Sequence, residues 1–175
     1  MLRIRHDCST FVLSCLTKIP PEDRVIALDA PCGFGRHTFE LLRQGYAVTA
    51  ADINKDRLEF VRNKLNDQGS IGQCVTVVKD IETRRPFAEK SVDVALVVDY
   101  ASEAGIRNVL RAVRPGGFTV IETFRANGGN WLDLPQPGAF SDMIRKTFTM
   151  IEYRERAAGP TGAEAASVLC FARRQ

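Results

Sequence analysis

Short apolar runs alternate along the chain with stretches in which apolar residues recur every three or four positions. A continuous apolar run predicts a strand buried on both faces of a sheet, whereas the wider spacing predicts an amphipathic helix. On this basis we predict seven strands, at residues 24–30, 46–51, 74–78, 92–98, 118–123, 148–153 and 167–172. The predicted helices lie at residues 36–44, 54–69, 102–113 and around 140–144.

The residues at the ends of these elements are typical of helix boundaries and turns. Asn54 and Ser102 stand where a side chain is expected to cap a helix N-terminus, and Gly45 stands where a helix is expected to stop. The sequence Arg-Pro-Gly-Gly at 114–117 predicts a turn before the fifth strand. Residues 125–138 hold a Gly-Gly pair and two prolines and predict a long irregular loop, a kind of segment that is often functional.

The order of the elements predicts an α/β fold. Five strands separated by helices imply a parallel sheet with helices on both faces, joined by right-handed crossovers. The last two strands have no helix-length pattern between them, so they are expected to pair as an antiparallel hairpin. We therefore predict a Rossmann-like, doubly wound, mostly parallel sheet of seven strands, with ligands bound outside the C-terminal strand ends.

The composition is that of an ordinary globular chain and narrows the possible functions. The 175 residues predict one domain, 1–175, and a content of 45% hydrophobic and 26% charged residues excludes a disordered chain. No apolar run reaches the roughly 18 residues of a membrane span, and no secretory leader is recognised. The 24 basic and 21 acidic residues are scattered, which disfavours a nucleic-acid partner.

The cysteines and histidines of the chain do not form a familiar binding pattern. Five cysteines form no C-x-x-C pair, and only His6 and His37 accompany them, so we expect no disulfide framework and no metal site. Free thiols suit a reducing compartment, and we expect a cytoplasmic protein.

The most informative stretch is ALDAPCGFGRHT at residues 27–38. It predicts a strand that ends in Asp29, a tight turn with Gly33 and Gly35, and a helix that starts near Arg36. Glycines at such a turn let the backbone approach a ligand closely and open the helix N-terminus toward it. Thr38 stands where the third glycine of a dinucleotide fingerprint would fall, so that fingerprint is absent.

Acidic residues end or follow four consecutive predicted strands. Asp29, Asp52, Asp80 and Asp99 stand at these positions, and all four are expected at one edge of the sheet. Asp52 lies 17 residues after Gly35, where a carboxylate can accept hydrogen bonds from two adjacent ribose hydroxyls. Together, the acids and the glycine turn predict a nucleoside-binding site.

On these motifs the chain resembles the class I S-adenosylmethionine-dependent methyltransferases over residues 24–174. The stretch from Asp29 to Arg36 is similar to that family's first motif, and the final hairpin resembles the antiparallel seventh strand that distinguishes this fold from nicotinamide-binding domains. The resemblance implies S-adenosylmethionine as cofactor and S-adenosylhomocysteine as product. The cofactor contacts that it implies are Asp29, Pro31, Cys32, Gly33, Gly35, Arg36, Asp52, Ile53, Asp80, Ile81, Asp99 and Tyr100.

Within the superfamily the chain looks most like the small bacterial tellurite-resistance methyltransferases. The near-minimal size, Glu-Thr-Phe at 122–124 and Leu-Pro-Gln-Pro-Gly at 134–138 are similar to that branch. Because few residues precede the first strand and insertions are short, we predict a small-molecule acceptor. It is expected to enter between a helical lid segment, 1–22, and the loop 125–138.

Methyl transfer is an in-line displacement, so alignment of donor and acceptor supplies much of the catalysis. An acid–base pair is needed only when the nucleophile loses a proton. No catalytic residue is assigned, but Tyr100, Glu122 and Trp131 are candidates for orienting the acceptor. His37 is expected on the surface or behind the site rather than as a base, and Cys32 is not expected to be a nucleophile.

Other functions remain open at this point. An RNA or protein methyltransferase that works with a partner subunit would share these motifs, and so would a non-catalytic scaffold or sensor with the same fold. A nicotinamide oxidoreductase is disfavoured by Thr38 and by the final hairpin. We expect a monomer or homodimer without a membrane partner.

Overall fold

The computed structural model describes residues 7–67, 73–127, 134–158 and 165–175. The helices are α1 (Thr10–Leu16), α2 (Arg36–Arg43), α3 (Lys55–Asp67), α4 (Glu103–Ala112) and α5 (Ala139–Arg145). The strands are β1 (Ile26–Asp29), β2 (Ala47–Asp52), β3 (Cys74–Val78), β4 (Val92–Val98), β5 (Val113–Ala126), β6 (Phe148–Ala158) and β7 (Ala165–Arg174).

All seven strands form one sheet in the order β3-β2-β1-β4-β5-β7-β6. The first five are parallel to one another, and β7 pairs antiparallel with both β5 and β6. The predicted fold is thus confirmed. The chain leaves β1 toward one edge and later returns to β4 on its other side, so the strand order reverses between β1 and β4. Open α/β sheets bind their ligands at such a point, outside the carboxyl ends of the strands.

Strand β4 shows why this sheet is covered on both faces. Successive side chains of a strand point to opposite faces, and here both sets are apolar. Val94 and Leu96 belong to a core cluster shared with α1, α2 and α3, whereas Ala95 and Val97 belong to a second cluster shared with α4 and α5. All four side chains are fully buried. Burial on both faces holds the strand ends, and the residues that follow them, in fixed positions.

The helix caps agree with those predicted. The Asn54 side chain accepts hydrogen bonds from the backbone of Asp56 and Arg57 at the start of α3, and the Ser102 side chain accepts one from Gly105 in α4. Such side-chain oxygens satisfy backbone donors that the first turn of a helix leaves free.

Strand β5 is longer than predicted at both ends. It begins at Val113 and absorbs the predicted 114–117 turn as a register irregularity against β4. It continues to Ala126, where it still pairs with Ala165 of β7. At this C-terminal end, ladder pairing with β7 therefore outweighs the local loop signals. Residues 128–133, including Trp131, lie outside the described residues.

At the N-terminal side, α1 covers part of the predicted lid segment 1–22. Ser9 caps this helix by accepting a hydrogen bond from the Phe11 N–H, and Val12, Cys15 and Leu16 are buried against the sheet. His6 lies outside the described residues. Within the described parts of the chain, no helix has the length and apolar character that a membrane span requires.

Candidate functional site

The turn between β1 and α2 has the backbone conformation that the two glycines predicted. Gly33 and Gly35 adopt φ values of +57° and +79°, in the left-handed region. Gly35 is the N-cap residue of α2, and its N–H donates to the Cys32 carbonyl at 3.0 Å. A Cβ atom placed on Gly33 would meet no atom within 4 Å, so open space adjoins the backbone there. The turn is thus a shallow cradle in front of a helix N-terminus.

Asp29, at the end of β1, is a buried acid with one oxygen left free. The Thr38 hydroxyl donates to its Oδ2 at 2.6 Å. Its Oδ1 is buried and has no hydrogen-bond partner among the described residues. Burial raises the pKa of this carboxyl to about 7, despite the opposing effect of the Thr38 hydrogen bonds. Buried polar atoms are nearly always hydrogen-bonded, so this oxygen has room for one further hydrogen-bond donor.

Asp52, at the end of β2, ties the glycine turn to the next strand. The Gly33 N–H donates to its Oδ2 at 2.8 Å, and the Asn54 N–H donates to its Oδ1 at 2.9 Å. The Arg57 guanidinium lies 3.7 Å from Oδ2. Each carboxylate oxygen can accept a second bond, because a carboxylate offers about four acceptor positions.

Asp52→Ala is expected to weaken S-adenosylmethionine binding at least about tenfold, since charge-assisted hydrogen bonds contribute roughly 1.5–3 kcal/mol each. The substitution also leaves the Gly33 N–H without its acceptor, so a fall in melting temperature should accompany it. Asp52→Asn is the matched control because its carbonyl oxygen keeps one backbone bond. Calorimetry and thermal unfolding measure the two effects, and unchanged affinity in both variants would remove Asp52 from the site.

Apolar side chains surround the ends of β2 and β3. Ile53, directly after Asp52, is 64% exposed. Ile81 is buried at the end of β3, where Asp80 accepts a hydrogen bond from the Glu82 N–H. These residues provide an apolar wall and a carboxylate on the side of Asp52 away from β1.

The ring of Phe34, in the glycine turn, is 37% exposed. It packs edge-on against Phe60 with ring centroids 5.5 Å apart. The Arg57 guanidinium lies 5.7 Å from the Phe34 centroid, within the range of a cation–π contact. An aromatic side chain thus borders the mouth of the cradle.

Two other predicted residues, Asp99 and Tyr100, follow β4. Arg36 donates to Asp99 Oδ2 at 2.7 Å, so an ion pair joins the start of α2 to the end of β4. The Tyr100 hydroxyl donates to Glu82 at 2.5 Å, and burial together with this bond raises the pKa of the tyrosine. The Tyr100 hydroxyl therefore faces the end of β3 rather than that of β5.

The N-terminus of α1 lies over the end of β5. The Ser9 hydroxyl donates to Glu122 Oε2 at 2.5 Å, and the Ser9 N–H donates to His37 Nε2 at 3.4 Å. His37 is only 3% exposed, and burial lowers its pKa to about 4. The surface alternative for His37 was wrong, and its place behind the site stays a prediction. The helical periodicity of α2 pointed to this, because His37 and Leu41 lie four residues apart on one face.

Pro31 and Cys32 fill the turn itself. The Ala30–Pro31 peptide bond is cis, and Pro31 is half-buried. Cys32 is buried, and its burial strongly raises the pKa of the thiol, so the thiolate is disfavoured. Its N–H donates to the Ala51 carbonyl at 2.8 Å.

Sequence reasoning missed two residues that the structure brings to the site. Thr38 was noticed only as a departure from a glycine pattern, yet its hydroxyl holds Asp29. Ser9 was not singled out at all. A serine just before an apolar helical pattern is an ordinary cap signal, and no local pattern connects it to Glu122, which lies 113 residues away.

Comparison with known proteins adds independent information on this site. A family profile described as a methyltransferase domain matches residues 27–117, which include the glycine turn and the ends of β1 to β4. The ubiquinone/menaquinone biosynthesis C-methyltransferase UbiE of Shewanella woodyi is 28% identical over 112 residues, covering 61% of this chain and 39% of that protein. The chain thus spans about two fifths of the length of this curated relative.

Solved structures share the fold at lower identity. Geranyl diphosphate methyltransferase in complex with SAM superposes with a TM-score of 0.77 and 15% identity, over 94% of this chain and 84% of that one. The [4+2]-cyclase SpnF superposes with a TM-score of 0.75 and 15% identity, over 94% and 79% of the two chains. At this level of identity the likeness shows the fold alone.

Proposed function

Because the chain belongs to the methyltransferase-domain family, whose methyl donor is S-adenosylmethionine, we propose that it transfers a methyl group from this cofactor to a small-molecule acceptor. One observation carries the proposal: a glycine turn with open space in front lies beside Asp29, a buried carboxylate with a free oxygen. The cofactor is a cation with an amino-acid tail and a nucleoside. Its ammonium group supplies the donor that the free oxygen lacks.

The described residues suit each part of this cofactor. Asp29 would accept a hydrogen bond from the ammonium group, while the Gly33–Gly35 backbone would lie against the amino-acid tail. Asp52 would accept bonds from the ribose hydroxyls through the lone pairs that its backbone donors leave free.

The adenine end is expected next to the ends of β2 and β3. Ile53 and Ile81 would lie beside the ring, and Asp80 would accept from its amino group. Adenine bound there would cover the exposed Ile53 side chain.

The remaining predicted contacts would close the site on the β4 side. Arg36 and Asp99 hold the start of α2 against the end of β4 through their ion pair. Tyr100 would border the nucleoside, because its ring packs near Ile81 and its hydroxyl is bonded to Glu82. We propose that Tyr100 serves cofactor binding more than acceptor orientation.

The chemistry supplied by the bound cofactor is a methyl group on a positively charged sulfur. The protein then has to align the acceptor with the S–CH₃ bond and exclude water, which accounts for much of the rate enhancement in such displacements. The acceptor is expected at the ends of β4 and β5, near Glu122 and Phe124.

Two observations favour a small acceptor. One relative is named for ubiquinone and menaquinone biosynthesis, and one structural neighbour is named for geranyl diphosphate. The curated relative belongs to quinone biosynthesis, so the resemblance to the tellurite-resistance branch stays a prediction. The SpnF likeness shows that this fold also occurs in a cyclase, which makes a direct test of transfer necessary.

The proposal predicts that the purified protein binds S-adenosylmethionine and S-adenosylhomocysteine but not NADH. Isothermal titration calorimetry checks this, and mass spectrometry of heat-released small molecules identifies any co-purified nucleoside. Transfer of a labelled methyl group to a panel of quinols, thiols and isoprenoids then separates an enzyme from a cofactor sensor. Salt-sensitive retention on RNA, or methylation only in the presence of a second protein, would favour the macromolecular alternative instead.

A further inference from the structure

Glu122 occupies the place where an acceptor is expected. It pairs in register with Val98, the last residue of β4, and its carbonyl accepts a hydrogen bond from the Asp99 N–H at 2.8 Å. Its side chain also lies close to the proposed cofactor site. Ser9 links Glu122 to α2, because its hydroxyl donates to Glu122 Oε2 at 2.5 Å and its N–H donates to His37 Nε2 at 3.4 Å.

The carboxylates along this edge of the sheet differ in their ion-pair and hydrogen-bond partners. Asp99 is paired with Arg36, Asp52 lies near Arg57, and Asp29 accepts from Thr38. For Glu122, no cation lies within 4.0 Å among the residues that the structure describes. Its described side-chain partner is a neutral hydroxyl.

That hydroxyl belongs to Ser9, and the contact is not required to cap α1. The Ser9 Oγ caps the helix as an acceptor, through the Phe11 N–H, and uses its proton on Glu122 Oε2. The Ser9–Glu122 bond therefore shows that this carboxylate oxygen is placed to receive a hydrogen bond from a hydroxyl at the end of β5.

We propose that Glu122 is the general base of the reaction and that the acceptor carries an ionisable hydroxyl, as in a phenol or quinol, which replaces the Ser9 hydroxyl on Oε2. This inference rests on the proposed function. Exchanging one hydroxyl donor for another leaves the carboxylate satisfied, so displacement of Ser9 costs little.

The step balances as follows. The acceptor O–H bond breaks and its proton goes to Glu122 Oε2. The electron pair left on the acceptor oxygen forms the new bond to the methyl carbon. The S–CH₃ bond breaks, and its electron pair stays on sulfur. Glu122 then releases its proton to water.

The presence of a base favours a hydroxyl acceptor over a thiol. A thiol has a pKa of about 8.5 and is partly ionised at neutral pH, whereas a phenolic hydroxyl has a pKa of about 10 and is not. General-base catalysis contributes roughly 10²–10⁴-fold where a proton has to be removed. Among the described residues Glu122 is not held in an ion pair, so its Oε2 can accept from an acceptor hydroxyl once the Ser9 hydroxyl is displaced.

Two probes of the same shape test the inference: 2-naphthol and 2-naphthalenethiol. Glu122→Gln should lower methyl transfer to 2-naphthol by about 100-fold or more and leave transfer to 2-naphthalenethiol within about threefold. Glu89→Gln, on an exposed residue outside the site, is the matched control and should change neither rate. Equal losses with both probes, or no loss with 2-naphthol, would overturn the assignment of a base.

Binding provides a readout that does not depend on turnover. With S-adenosylhomocysteine bound, calorimetry should show that Ser9→Gly tightens 2-naphthol binding severalfold, because the competing hydroxyl is gone. Glycine remains an acceptable cap, so α1 should persist. Two results would overturn the inference while cofactor binding is intact. One is 2-naphthol binding that is unchanged in both the Ser9→Gly and the Glu122→Gln variant, and the other is 2-naphthol binding that is absent in both. Failure of the wild-type protein to bind S-adenosylmethionine would instead reject the proposed function.

Discussion

Gly35→Val is expected to abolish S-adenosylmethionine binding and to lower the melting temperature by about 5–20 °C. Gly35 has φ +79°, and a Cβ atom there would lie 2.8 Å from Val61 Cγ2 and 3.1 Å from the Phe39 ring. Left-handed backbone costs a non-glycine residue about 1–2 kcal/mol and overpacking about 1–3 kcal/mol. A destabilisation of roughly 2–5 kcal/mol corresponds to such a temperature shift in a chain of this size.

The neighbouring glycine separates loss of folding from loss of binding. At Gly33 an added methyl group meets open space, and only the backbone strain at φ +57° remains. Gly33→Ala is therefore expected to keep a melting temperature within a few degrees of wild type while binding is lost, because the methyl group occupies the space proposed for the cofactor. Thermal unfolding and calorimetry on the same samples check both expectations. A Gly33→Ala variant that binds like wild type would show that the cofactor does not lie on this turn.

The affinity for S-adenosylmethionine is expected to fall about tenfold between about pH 8 and about pH 6. The Asp29 carboxyl has its pKa raised to about 7 by burial, so protons compete with the cofactor ammonium group across this range. Asp29→Asn should bind the cofactor roughly 10–100-fold more weakly at about pH 8, which is the loss expected for one charge-assisted bond. Its affinity should no longer show this pH dependence.

Calorimetry across this pH range measures the change in affinity. Experiments in buffers of different ionisation enthalpy show whether protons are released or taken up when the cofactor binds. Asp99→Asn is a suitable comparison, because it also removes a carboxylate from this edge but leaves Asp29 in place. A wild-type affinity that is flat over this range would show that Asp29 does not hold the ammonium group.

The same shift affects the stability of the ligand-free protein. Between its usual pKa of 3.8 and about 7, Asp29 binds a proton in the folded state that the unfolded chain has lost. The free energy of unfolding therefore falls as pH rises through this window. His37 acts in the opposite direction, because burial lowers its pKa from 6.5 to about 4. The free energy of unfolding that the neutral imidazole contributes is lost as pH falls through that range. Denaturation of Asp29→Asn beside wild type isolates the first effect.

The sequence by itself determined the sheet and the edge of the sheet at which the acidic residues lie. Buried parallel strands are apolar throughout, and the run 92–98 was therefore predicted with the same bounds as β4. The glycine turn is equally local, because its left-handed φ values follow from residue type and short-range sterics. Strand ends in a parallel sheet point the same way, so the order of the elements alone places Asp29, Asp52, Asp80 and Asp99 at one edge.

Only the tertiary structure decided what each acid contacts. The partner of Asp29 is Thr38, that of Asp99 is Arg36, and that of Glu122 is Ser9, which belongs to a helix packed from the far end of the chain. Hydrogen bonds and ion pairs form only when the distance between two groups is right to within a few tenths of an ångström, and their strength depends on burial. Neither the distance nor the burial is encoded in local sequence spacing. The extension of β5 to Ala126 was likewise fixed by its pairing with β7, since a strand continues as long as a neighbour satisfies its backbone donors and acceptors.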